Sequence, residues 1–134
     1  MSITDLAVLL ANLEPRLVPG EFAFCTVHGA RYGDLADLEP VGMFAEREAI
    51  TLIIPEANAR QSGVSYSGPY RMITLNVHSS LEAVGLTAAV ARALADEGIS
   101  ANMIAAFHHD HVFVPSNRAK EALQVLNTLQ KRHT

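Results

Sequence analysis

The sequence is poor in the features that most often announce a chemistry. It has one cysteine, Cys25, so no disulfide can form within the chain and a reducing compartment is expected. It has no excess of positive charge. Ten Lys and Arg stand against fourteen Asp and Glu, the net charge is −4, and the basic residues are scattered, which removes the counterion-release contribution that nucleic-acid binding needs. It has no long apolar run. The N-terminal MSITDLAVLLANLEP is interrupted by Asp5, Asn12 and Glu14 and lacks a basic leader, so neither a signal peptide nor a membrane span is expected and the cytoplasm is the expected location. No G-x-G-x-x-G, P-loop, G-x-S-x-G or paired C-x-x-C motif occurs, and no cofactor is expected.

What the chain does have is apolar content. Hydrophobic residues make up 49% and charged residues 18% of 134, enough for one compact domain or two small halves. Leu6, Leu9, Leu10 and Leu13 at helical spacing predict a helix over 4–13, capped by Ser2 or Thr4 and closed by Pro15. After a turn-like LVPG, EFAFCTVH is apolar on both faces and predicts a central strand. GARYGDLADLEPVG predicts a loop with one helical turn, VGMFAE and AITLII a hairpin, and EANAR a short helix after Pro55. QSGVSYSGP predicts a hinge between the halves, placed at 1–64 and 65–134.

The second half has a cleaner pattern. YRMITLNV is a strand, HSSLEAVG a loop, and Leu86, Val90 and Leu94 mark a helix ended by Gly98. ANMIAAF and HVFVP are strands around a turn. SNRAKEALQVLNTLQKRH is a helix with Ser116 as N-cap and Ala119, Ala122, Leu123, Leu126 and Leu129 buried. The order β-α-β-β-α is a ferredoxin-like unit short of its last strand, so the N-terminal half or a second chain is expected to cover the open edge.

Three groups of residues have chemical interest. The passage from His78, Ser79 and Ser80 into a helix near Val84 and Gly85 places free backbone N–H groups where a carboxylate can bind, and Gly85 permits close approach. The plainer reading is that Ser79 or Ser80 caps the loop. His108, His109, Asp110 and His111 have metal-ligand chemistry, but neighbouring side chains on an extended strand diverge and no distant His or Cys is evident, so no metal is expected. Cys25 and His28, three apart on a strand, point to opposite faces, and Glu46, Glu48 and Glu56 suit solvated positions, so no catalytic set is found.

The segments LNVHSS, VGLTAAVARALADEGIS and NMIAAFHHDHVFVP resemble an ACT domain, and GMFAEREAITLIIPEANA resembles the corresponding part of a first one. More narrowly, the chain resembles small bacterial tandem-ACT proteins and the ACT modules of the CASTOR arginine-sensor family. The resemblance implies an α+β, ferredoxin-like βαββαβ fold in two tandem halves with antiparallel sheets. It also implies a non-catalytic regulatory protein, a homodimer, binding a free amino acid or similar metabolite. The implied ligand residues are His78, Ser79, Ser80, Val84, Gly85, Leu86, Asn102, Met103, Phe107, His108 and Asp110. A ligand-free interaction module is the alternative; an enzyme rests only on analogy with other ferredoxin-like proteins.

Overall fold

The computed structural model describes residues 5–134. The expected caps Ser2 and Thr4 lie outside them. Helix α1 spans Leu6–Ala11, and the Asp5 carboxylate accepts a hydrogen bond from the Val8 N–H at its N-terminus. The described chain continues through β1 (Pro15–Leu17), β2 (Phe22–Val27), β3 (Gly42–Ala45), β4 (Ile50–Pro55), α2 (Glu56–Ser62), β5 (Ser65–Leu75), α3 (Leu86–Asp96), β6 (Asn102–Ala105), β7 (Asp110–Pro115) and α4 (Ala119–Lys131).

Two compact units result, and they differ from the sequential halves expected at 64/65. The larger holds the residues up to Pro19 together with Arg71–Thr134; the smaller is Gly20–Tyr70. In the larger unit the strand order is β1, β5, β7, β6. The edge left open by β-α-β-β-α is covered by β1, whose Pro15, Arg16 and Leu17 pair antiparallel with Leu75, Thr74 and Ile73. Pro15–Leu17, which the sequence marked only as the end of a helix and the start of a turn, therefore completes a βαββαβ unit by pairing with residues far along the chain. Its core gathers Leu9, Leu10 and Leu13 with Ile73, Leu75, Val90, Leu94, Val112, Val114, Leu126 and Leu129. At 1.5–3 kcal/mol for each large apolar side chain fully buried, this cluster is the main source of the unit's stability.

In the smaller unit the order is β3, β4, β2, β5. β2 is central, as expected, pairing with β4 from Phe22↔Pro55 to Val27↔Ile50 and with the first part of β5. The expected hinge is instead strand. Phe22 faces Tyr70 and Phe24 faces Ser67, so Gly68 and Pro69 together stand opposite Ala23 in a bulge. A Cβ on Gly68 would lie 3.0 Å from the Phe22 carbonyl oxygen, and its φ of +156° favours glycine. The polar, glycine-bearing SYSGP masks this strand because pairing with β2, not local pattern, holds it.

The expected loop after β2 keeps its single turn, a 3-10 segment at Ala36–Leu38. α4 follows another 3-10 turn at Ser116–Arg118, and Ser116 is no N-cap: its hydroxyl is buried without a hydrogen bond. Of the predicted stripe, Ala119, Ala122, Leu126 and Leu129 are buried and Leu123 is partly so. Cys25 is buried, with its thiol pKa raised by desolvation, while His28 is exposed, consistent with opposite faces.

Candidate functional site

The end of β5 and the start of α3 belong to the larger unit and are joined by residues 76–85. Within this loop the Glu82 N–H donates to the Ser80 hydroxyl at 3.0 Å and the Ala83 N–H to the Ser80 carbonyl at 3.0 Å. Ser80 is thus the loop-capping residue of the plainer reading. Gly85 occupies the N-cap of α3 with φ +101° and supplies no side-chain acceptor, so the first N–H groups of an eleven-residue helix have no side-chain cap. The space beside its Cα is not open to a ligand, as the sequence suggested: a Cβ there would meet Leu6 Cδ2 at 2.9 Å. The positive φ favours glycine, and any Cβ would make the Leu6 side chain of α1 shift.

A cavity of about 110 Å³ lies at this helix start. Ser79, Ser80, Leu81, Ala83, Gly85, Leu86 and Thr87 form one wall, and Ala105 and Asp110, from the β6–β7 hairpin, the other. Five of the sequence-predicted residues, Ser79, Ser80, Gly85, Leu86 and Asp110, thus meet here. Leu81, Ala83, Thr87 and Ala105 were missed; the loop residues follow from continuity with Ser80, but Ala105 carries no local signal.

The Asp110 carboxyl is half-buried, and desolvation raises its pKa, opposed by a hydrogen bond from Ser79 and by the nearby His111 and His109. His111 is held below its ordinary value by desolvation and by His109, opposed by Asp110, and its Nδ1 lies 3.0 Å from the Thr74 hydroxyl.

The other predicted residues fall outside the cavity lining. His78 and His108 are exposed, with ring centroids 5.8 Å apart, and His109 is 6.0 Å from His78. The distant histidine that seemed absent from the sequence is therefore His78. Even so, no group of three or more His, Cys, Asp or Glu among the described residues is placed to hold a metal ion. Phe107 packs edge-on to His108 with its ring 77% exposed, and Val84 is 83% exposed. Asn102 and Met103 pair with Phe113 and Val112 along β6, and Met103 packs toward the core. Adjacent on a strand, the two side chains point to opposite faces.

Glu46 and Glu56 of the first half are engaged elsewhere. Glu46 accepts a hydrogen bond from Thr51, and Glu56 accepts from Arg60 at 3.0 Å and Tyr66 at 2.9 Å. No helix among the described residues is long and apolar enough to cross a membrane.

Residues 1–71 match one ACT-domain model and residues 67–128 another. No functionally curated protein matches the sequence. The VC0802 protein of Vibrio cholerae, of unknown function and described as a possible transport protein, is 47% identical, with a TM-score of 0.85 over 93% of this chain and 95% of that one. The Agrobacterium tumefaciens protein Atu0741 has the same fold at 14% identity, with a TM-score of 0.73 over 87% of each chain. The regulatory subunit of aspartate kinase from Thermus flavus has it at 10% identity, with a TM-score of 0.63 over 86% of this chain and 95% of that one. With ACT-domain models matching residues 1–71 and 67–128, the chain belongs to the ACT-domain family.

Proposed function

We propose that the protein is a non-catalytic, cytoplasmic sensor of a free amino acid, kin to the tandem-ACT and CASTOR-type modules and acting as a homodimer. One observation carries the reading: the cavity at the start of α3 has two poles of opposite charge preference. On one side are uncapped helix N–H groups, which favour a carboxylate; on the other is the half-buried Asp110, which favours an ammonium. An α-amino acid carries both charges. The small volume leaves the ligand's side chain to project out of the cavity. β6, the last strand of its sheet, offers an edge to which a second chain can add.

Isothermal titration of the full chain against the twenty amino acids tests the reading. At least one is expected to bind, with Asp110→Asn weakening it about tenfold or more and Val84→Ala leaving it unchanged. Silence across the panel removes the reading.

A second reading has its own observation. Leu81, which lines the cavity, Val84 in the same loop and Phe107 in the β6–β7 turn are 65%, 83% and 77% exposed, apolar surface suited to a protein partner. A stoichiometric partner that binds Asp110→Asn normally but not Phe107→Ala would favour it.

A further inference from the structure

The smaller unit contains a cavity of about 180 Å³ between the loop that follows β2 and the sheet beneath it. Its origin lies in what that loop replaces. In the larger unit, the first strand is followed by the eleven-residue α3, which buries Leu86, Val90 and Leu94. In the smaller, the equivalent connection has only the 3-10 turn Ala36–Leu38, which has no buried residue of its own. Leu35 and Leu38 pack partly against the core, but one turn cannot fill the area a three-turn helix covers, and a void remains over Ile50 and Leu52.

The floor and walls, Leu35, Ala36, Pro40, Met43, Ile50 and Leu52, are apolar. Arg31 is the only charged residue of the lining, and with Tyr32 it stands exposed at the mouth. Its guanidinium has no hydrogen bond or ion pair among the described residues. The neighbouring Asp34 carboxylate accepts a hydrogen bond from the Arg31 backbone N–H at 2.9 Å.

We propose that this cavity is a second ligand site, for a short aliphatic monocarboxylate whose chain fills the apolar space and whose carboxylate pairs with Arg31. Size sets the chain length. The volume is below the roughly 300 Å³ at which drug-sized pockets begin and holds about six groups of the roughly 30 Å³ that a water occupies. Charge sets the head group. A single arginine matches one carboxylate, while Asp37 and Glu39 in the same loop disfavour a dianion. No carboxylate lines the cavity to receive an ammonium, so this ligand differs in kind from the zwitterion proposed for the larger unit.

The test is methyl NMR of the full chain titrated with 4-methylpentanoate, with leucine and 4-methylpentan-1-ol as the zwitterionic and uncharged analogues. The carboxylate is expected to shift the Met43, Ile50 and Leu52 methyl signals, and both analogues and the Arg31→Ala variant to bind about tenfold more weakly. Ala36→Leu, which fills the space, is expected to abolish the shifts while the remaining methyl spectrum reports an intact fold. The proposal is overturned if those methyls do not respond at millimolar carboxylate, if the alcohol or leucine binds equally well, or if either variant responds like the parent.

Discussion

In the larger unit, helices of eleven and thirteen residues cover the sheet, and sixteen buried residues form one cluster among those described. In the smaller, a seven-residue helix and a loop cover the same strand arrangement, and the cluster has six: Ala23, Cys25, Ile50, Leu52, Ile54 and Ala59. The contrast shows that strand order and core size are separate properties of an ACT unit. Backbone pairing closes both sheets; only side-chain volume supplied by helices makes one of them well packed.

The largest expected effect that bears on this contrast is core truncation. Leu126→Ala in the larger unit should cost about 3–5 kcal/mol, and Leu52→Ala, at a side chain that already faces a cavity and so has fewer packing contacts to lose, about 2 kcal/mol. Urea unfolding with a fixed m-value measures both. Equal losses would break the comparison.

Glycine substitutions give a smaller effect and test the loops rather than the cores. Gly68→Ala presses a Cβ on the Phe22 carbonyl oxygen, a backbone atom that cannot yield, and should cost about 2–3 kcal/mol. Gly85→Ala meets the end of the flexible Leu6 side chain and should cost about 1–2 kcal/mol, strain at its positive φ included. The same unfolding measurement ranks them, and the reverse order would show that α1 is held more rigidly than the β2–β5 bulge.

The smallest effect is pH-dependent and confined to the larger unit. The pKa of His111 is lowered from its ordinary 6.5, chiefly by burial, so between the folded and unfolded values the unfolded chain binds more protons. Stability is therefore present above 6.5 and lost as the pH falls through that value toward the lower, folded one. Asp110 has the opposite sign at more acidic pH: burial raises its pKa, so stability falls as the pH rises through its folded value. His111→Gln should reduce the loss of urea midpoint between pH 7.5 and 5.5, while the smaller unit's Cys25 thiol labelling keeps its pH profile. An unchanged midpoint loss in the variant would assign the effect to other histidines.

Much of the fold was legible because its signals are local. The α4 stripe, the β6–β7 hairpin and the turn at residues 36–38 each follow from residues within a few positions of one another. β1 and the first part of β5 were not legible. PRL has no periodicity, SYSGP reads as a break, and both are strands only through partners far along the chain. The site divides likewise. Ser79, Ser80, Gly85 and Leu86 were found because a strand running into a helix is a local pattern, whereas Ala105 joins them, and His78 approaches His108, through tertiary packing.

By itself, then, the sequence determined which segments are helix or strand wherever apolar spacing repeats, since periodicity decides which side chains a lone element can bury. It also determined that the β5–α3 connection ends in free backbone N–H groups, because a helix start exposes donors whatever surrounds it. Tertiary structure alone decided that β1 closes the larger unit, that Leu6 fills the space beside Gly85, and that Asp110 faces the helix start. It also decided that a void persists over Ile50 and Leu52. Each depends on the distance between residues remote in the chain, and that distance is fixed only when both cores are packed.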